Sequence, residues 1–202
     1  MIALYKFRLT NTYIREINMP TFAGFTTKRY QEHDTLIKTL VNEFNKNKQT
    51  FVGGTASQIS KIPNLSEALI KSWIIQETGG NDARSLAAWK VDPAQVNVPG
   101  DWSSYKQSIG LSAPTKRNEG TVKQNLKAAI QWLARKGFGK SGQPPSNRSS
   151  ATFDGWEQAF TRYNGRSVKT TNGKAYSVNY AKRIIERANN PTTHNRIELP
   201  KP

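Results

Sequence analysis

The chain has 202 residues, of which 36% are hydrophobic and none is cysteine; this is enough for one large domain with a buried core, and it excludes a disulfide scaffold and a cysteine-based metal site. It carries 30 Lys and Arg residues against 14 Asp and Glu, and the net charge of +16 favours attraction to a polyanion such as nucleic acid, an anionic membrane surface or a bacterial cell wall. The only two histidines lie far apart in the sequence, so we expect neither a histidine-rich metal site nor any other cofactor.

The first 30 residues show no clear hydrophobic period, and we predict an N-terminal extension over 1–30 followed by one domain over 31–202. Charges at Lys6, Arg8 and Arg15 interrupt the apolar residues, so we expect no signal peptide and no membrane-spanning segment. The protein is then expected to be made in the cytoplasm, and another system would deliver it if it acts elsewhere.

Helical spacing of apolar residues recurs along the chain, and the class is predicted to be mainly α, with five or six helices. The predicted helices cover 33–47, 64–80, 121–139, 153–165 and 179–190. Proposed capping pairs are Asn64 with Glu67, Thr121 with Gln124, and Asp154 with Glu157, while Gly79-Gly80 and Gly137 are predicted helix stops. Loops are expected over 51–60 and 79–120, the latter with a short helix or hairpin, and short extended pieces are expected near 166–179.

Glu77 lies at the end of the second predicted helix, on its apolar face. Ile70, Trp73, Ile74 and Glu77 share one side of the helix because they are spaced at i, i+3, i+4 and i+7. Burial and the negative end of the helix dipole both disfavour the carboxylate, so we expect a raised pKa. A carboxyl that keeps its proton near neutral pH beside a polar loop is suited to general-acid cleavage of a glycosidic bond. The alternative is a solvated glutamate in a frayed last turn.

Four segments in order resemble the lytic transglycosylases and goose-type lysozymes of the lysozyme superfamily. They are "ETGG" followed by Gln95 in "DPAQVNVPG", then "NLKAAIQWLARKGF", "FTRYNG" and "NYAKRIIERA". The resemblance covers about residues 33–190, and Asp92-Pro93-Ala94 stands where the family has Gly-Leu-Met. It implies a lysozyme-like fold in which two helical lobes flank a glycan-binding cleft.

The resemblance also implies roles for individual residues. Glu77 would protonate the oxygen between N-acetylmuramic acid and N-acetylglucosamine, Gln95 would hydrogen-bond an acetamido group, and Tyr163 would orient Glu77 through its hydroxyl. Asn97, Asn164 and Tyr180 are further candidates for substrate binding. For Tyr163 and Tyr180 the alternative is a core aromatic, and for Gln95 it is a plain loop residue.

A second carboxylate would decide the chemistry, because a hydrolase needs a base or nucleophile whereas a lytic transglycosylase uses the 6-hydroxyl of muramic acid. Asp92 and Asp101 flank Gln95 and are the candidates, although each is also an ordinary turn or cap residue. We predict a muramidase with Glu77, Asp92 and Asp101 as catalytic residues, and a lytic transglycosylase as the alternative. A catalytically inactive basic module that binds wall or nucleic acid is the third hypothesis.

This prediction carries expectations about context. A lysozyme-like domain of this kind resembles those of phage endolysins and of bacteriolytic effectors that one bacterium injects into another, which act in the periplasm or cell wall of the target. The expected partners are peptidoglycan glycan strands and an acidic immunity or inhibitor protein. We expect a monomer that binds no nucleic acid and does not insert into a membrane.

Overall fold

The computed structural model describes residues 19–192, and this part of the chain is mainly helical. Its α-helices are α1 (Asp34–Lys46), α2 (Lys48–Val52), α3 (Ala56–Ile59), α4 (Glu67–Thr78), α5 (Ala83–Val91), α6 (Val122–Phe138), α7 (Trp156–Asn164) and α8 (Tyr176–Asn189). Short 3-10 turns cover Lys28–Gln31, Ser104–Ile109 and Pro145–Asn147. The extended pieces predicted near 166–179 amount to an isolated antiparallel bridge between Lys169 and Ala175. Among the described residues, no helix is long and apolar enough to cross a membrane.

Helix α4 is the most buried of the long helices and carries the predicted apolar face. Ile70, Trp73 and Ile74 are fully buried, as their spacing predicts. Helix α4 packs against α8 and α1. Helix α7 in turn packs against both α8 and α6. The C-terminal end of α4 is therefore held between helices that are far apart in sequence.

Two short helices, α2 and α3, were not predicted, and α5 lies where the sequence predicted a short helix or hairpin, so the described residues contain more α-helices than the five or six expected. Helices α2 and α3 lie where the glycines at 53–54 predicted a loop. Gly53 ends α2 in the left-handed conformation (φ 72°), and Thr55 starts α3 through a reciprocal capping box with Gln58. Helix α5 occupies part of the predicted 79–120 loop and is capped by Asp82, whose side chain accepts from Ser85 N.

Two of the predicted capping pairs and one helix stop are wrong. Ser66, not Asn64, caps α4, and Asn64 instead accepts from Lys48 Nζ at 2.8 Å. Asp154 does not cap α7; it pairs with Arg162, 2.5 Å from Oδ2 to Nη2, and α7 begins after Gly155.

Gly137 lies inside α6, which ends one residue later at Phe138. A Cβ atom at Gly137 would stand 2.1 Å from Cε2 of Phe153, so this glycine is required by close side-chain packing and not by a helix stop.

The second half of the predicted N-terminal extension packs into the core. Phe22 is fully buried, and Phe25 and Tyr30 are nearly so, within the same hydrophobic cluster as α4. Residues 19–30 thus form part of the helical domain. Residues 1–18 and 193–202, which the prediction assigned to the extension and to the end of the domain, lie outside the described residues.

Candidate active site

Glu77 is the penultimate residue of α4, and its side chain is half-buried. The hydroxyl of Tyr180, on α8, donates a hydrogen bond to Glu77 Oε1. The indole of Trp73, one turn before Glu77, donates to the Tyr180 oxygen at 2.8 Å, and Trp73 and Tyr180 are both buried. A chain of hydrogen bonds therefore runs from α4 through α8 and back to the carboxyl, and it fixes Oε1 as an acceptor.

Burial raises the pKa of Glu77 from 4.5 to about 7. The hydrogen bond from Tyr180 and the nearby indole N–H of Trp73 act in the opposite direction, but desolvation is the larger effect. The negative charges of Asp92 and Asp101 raise the pKa further. The expected raised pKa is thus present, and the carboxyl holds a proton on a large fraction of molecules at neutral pH.

Asp92 organises the loop that follows α5. It is 1% exposed, and its two carboxyl oxygens accept separate backbone N–H groups, from Val96 at 3.0 Å and from Asn97 at 2.9 Å. Burial raises the pKa of Asp92, and these hydrogen bonds lower it. Its burial, together with these two hydrogen bonds, leaves it little access to a water molecule that it could activate.

Asp101 is the accessible acid of this region, with 78% of its side chain exposed. Its Oδ2 lies 3.2 Å from Nζ of Lys106. Lys106 is itself 1% exposed, and its Nζ also donates to the carbonyls of Val96 at 2.8 Å and Asp101 at 2.6 Å. The buried lysine ties the two ends of the 96–101 loop together and keeps Asp101 on the side of the candidate acid.

The structure brings Gln95 directly to the end of α4. Its Nε2 donates to the backbone carbonyl of Glu77 at 3.3 Å, and its backbone is left-handed at φ 54°, an unusual conformation for a residue other than glycine. The neighbouring Asn97 is 7% exposed, and its buried Oδ1 has no hydrogen-bond partner among the described residues. Both predicted amides thus lie on the loop beside Glu77.

The prediction that Tyr163 orients Glu77 through its hydroxyl is wrong. The hydroxyl that contacts Glu77 belongs to Tyr180, whereas Tyr163 donates to the carbonyl of Ala94 at 2.9 Å. The ring of Tyr163 packs edge-on against Trp73, with 4.8 Å between ring centroids, and this contact directs the hydroxyl to the loop and away from the carboxyl. Tyr163 therefore positions the loop that carries Gln95.

Asn164 lies at the end of α7 and accepts from Arg166 N at 3.3 Å. This contact shapes the turn between α7 and α8, and no described hydrogen bond joins Asn164 to Glu77.

Sequence reasoning missed three residues of the site. The sequence predicts Trp73 on the helix face of Glu77, four residues before it, but gives no sign that its indole takes part in the site. Tyr176 is half-buried, and its pKa is raised by burial and to a smaller extent by the charge of Glu77, which places it near the acid. Nothing in the sequence predicts that Lys106 is buried, because a single lysine in a polar loop is ordinarily exposed.

No protein-family model, curated protein or solved structure matches the chain. Within residues 19–192, no group of three or more His, Cys, Asp or Glu side chains is arranged to hold a metal ion.

Proposed function

We propose that the protein is a glycosidase of the muramidase type that cleaves the glycan strands of peptidoglycan, with Glu77 as the general acid. The observation that carries the proposal is the Glu77 carboxyl itself, whose pKa is raised to about 7 at the end of a buried helix face and beside a polar loop. General acids of glycosidases need a carboxyl that remains protonated near the working pH.

The hydrogen bond from Tyr180 assigns the two oxygens of Glu77 different tasks. Since Oε1 accepts from the hydroxyl, the acid proton resides on Oε2. In the proposed step this proton moves to the glycosidic oxygen as the bond from that oxygen to C1 of N-acetylmuramic acid breaks, and the electron pair of the bond stays with the departing N-acetylglucosamine. The carboxylate that remains is stabilised by Tyr180 and, through it, by Trp73.

The lysozyme-like fold, with two helical lobes around a cleft, belongs to the same proposal. It is supported by the way distant segments meet at the end of α4. Gln95 contacts the Glu77 carbonyl, Tyr163 holds the Gln95 loop, and Tyr180 contacts the carboxyl.

A lytic transglycosylase is the second candidate, and the hydrogen bonds of Asp92 favour it. Asp92 is 1% exposed and both of its oxygens accept backbone N–H groups, so Asp101, with 78% of its side chain exposed, is the acid that hydrolysis can use. In the hydrolytic version Asp101 stabilises the positive charge at C1 or activates the attacking water. In the alternative, the muramic acid 6-hydroxyl attacks C1, and its proton returns to the Glu77 carboxylate.

We place the activity in the periplasm or cell wall of a target bacterium, as for an effector or endolysin. The net charge of +16 supports this, because walls are rich in phosphate and carboxylate groups. An acidic immunity or inhibitor protein is the corresponding partner, since opposite charge accelerates association.

A turbidity assay on purified cell walls tests the proposal. The wild-type protein should clear the suspension, and Glu77→Gln, which keeps the shape and loses the acid proton, should be slower by roughly 10²-fold or more. Glu157→Gln, at an exposed carboxyl on α7, is the matched control and should clear walls at the wild-type rate. A wild-type protein that binds walls without clearing them would instead indicate an inactive binding module.

A further inference from the structure

A second concave site lies between the end of α6, the end of α7 and the beginning of α8. Its cavity volume is about 450 Å³. The side chains that carry the following argument are Lys136, Lys140, Arg162, Ala175, Ser177 and Val178. None of the residues that line this groove is Asp or Glu.

Three cations border the groove. Lys136 is half-buried, and burial lowers the pKa of its amine. The amine lies 4.9 Å from the centroid of the Trp132 ring and donates one hydrogen bond to the backbone carbonyl of Lys140, which leaves two N–H groups for a ligand. Arg162 donates to the carbonyl of Gly137 at 3.0 Å and pairs with Asp154, which fixes its position. Lys140 is exposed and forms no ion pair within the described part of the chain. The groove therefore has an excess of positive charge on a firmly held frame.

The hydroxyl of Ser177 faces the groove without a hydrogen bond to the described residues. The residue is 6% exposed and lines the groove, and its hydroxyl makes no hydrogen bond with any described residue. The residue is nine-tenths buried, but its oxygen is not enclosed by protein atoms and opens to the groove, where a ligand or water can accept its hydrogen bond.

The positive end of α8 faces the same space. Ala175, the N-cap residue, has no side-chain hydrogen bond to the helix. The first N–H groups of α8 are already used, by Tyr176 to the Val168 carbonyl at 2.9 Å and by Ser177 to the Arg166 carbonyl at 3.1 Å. The helix dipole thus adds to the positive potential, and the Ser177 hydroxyl is the direct donor.

We propose that this groove binds an oxyanion, a carboxylate or phosphate, carried on a short apolar stem. The charged oxygens accept hydrogen bonds from the amines of Lys136 and Lys140 and from the hydroxyl of Ser177. Ala175, Val178 and the methylene chains of the lysines contact the stem.

Helix α8 contributes to both the groove and the candidate active site. Ser177 and Tyr180 are three residues apart on α8, which is about 4.5 Å along the helix axis, so they lie on neighbouring parts of one face. A polymer bound at the groove would continue toward Glu77. The identity of the natural anion rests on the proposed wall-cleaving function: stem-peptide carboxylates or wall phosphodiesters would supply it.

The test is a titration of the full chain followed by amide chemical shifts at constant ionic strength. N-acetyl-D-alanine represents the carboxylate source and glycerol 3-phosphate the phosphate source. Binding should saturate, with the largest shifts at Ser177 and Val178. Ser177→Ala should weaken it about tenfold, through loss of one hydrogen bond to a charged group. Lys140→Gln should weaken it about twofold to fivefold, as an exposed charge does.

Lys38→Gln, which removes another exposed charge, on α1, is the matched control and should leave the affinity unchanged. Saturation by one probe and not the other identifies the source of the anion and supports the site. Lack of saturation by both, or equal weakening by Lys38→Gln and Lys140→Gln, overturns it. The variant Glu77→Gln should bind both probes like the wild type. Anion binding in the groove and cleavage of the wall by Glu77 are therefore tested independently.

Discussion

Replacement of Glu77 by Gln is expected to change how the stability of the protein depends on pH. A carboxyl whose pKa is 4.5 in the unfolded chain and about 7 in the folded one binds more protons when folded between these values. The free energy of unfolding of the wild type therefore decreases as the pH rises through this window. At about 1.36 kcal/mol per pKa unit, the loss amounts to about 3 kcal/mol above pH 7.

The Gln variant has no proton to lose at this position and keeps an oxygen that accepts from Tyr180. Its stability relative to the wild type should rise by about 3 kcal/mol between pH 4 and pH 8, as measured by urea unfolding with both proteins in the same buffers. Glu157→Gln controls for the loss of an exposed carboxyl and should show no such rise. A difference between Glu77→Gln and the wild type that stays constant over this range would refute the burial argument.

Four further predictions follow from the site, the packing and the charge. Tyr180→Phe removes the hydroxyl that lowers the pKa of Glu77, so the alkaline limb of the rate–pH profile for wall clearing should move to higher pH while the maximal rate falls. Asp92→Asn places an amide N–H₂ where a backbone N–H now donates; it should lower the free energy of unfolding by about 1–3 kcal/mol in urea, with the clearing rate per folded molecule retained. Gly137→Ala should lower it by about 1–3 kcal/mol through the clash with Phe153, also measured in urea. Wall clearing should weaken with added salt, since exposed charges are screened beyond about 10 Å at 0.1 M ionic strength, while cleavage of an uncharged chitooligosaccharide should not.

Each of these has an outcome that contradicts it. An unmoved alkaline limb in Tyr180→Phe would separate this hydroxyl from the titration of Glu77. Loss of turnover in fully folded Asp92→Asn would restore Asp92 as a catalytic acid. Adding Phe153→Leu to Gly137→Ala should restore part of the lost free energy of unfolding. If it restores none, a clash with Phe153 is not the cause of the loss. A parallel fall of both salt series would mean that salt acts on the site or the fold and not on attraction to the wall.

The long helices were predictable because each has a wide apolar stripe, as α4 has in Ile70, Trp73 and Ile74. Helices α2 and α3 were not predicted, and α5 was predicted only as a short helix or hairpin within 79–120, because helices this short depend on caps and on neighbouring contacts more than on periodicity. The burial of Phe22 and Phe25 was missed for a similar reason: two aromatics in an irregular segment have no period.

The position of Glu77 on its helix face could be predicted, because helical geometry alone determines it. The sequence could not predict which of the two tyrosines contacts the carboxyl of Glu77. Tyr163 and Tyr180 both lie on helices that pack close to Trp73, and the choice depends on how far each helix is displaced along α4. The commitment of both Asp92 oxygens to the loop backbone is likewise a tertiary property, since a carboxylate in a polar loop gives no sign of its partners.

Mass spectrometry of the glycan fragments released from purified peptidoglycan tests the central claim most directly. The wild-type protein should release muropeptides that end either in a reducing muramic acid, from hydrolysis, or in a 1,6-anhydro muramic acid, from transglycosylation. The same digestion with Glu77→Gln should release roughly 10²-fold less of that product. Absence of new glycan ends with the wild type, or equal release by the variant, would contradict the assignment of Glu77 as the acid that cleaves the wall.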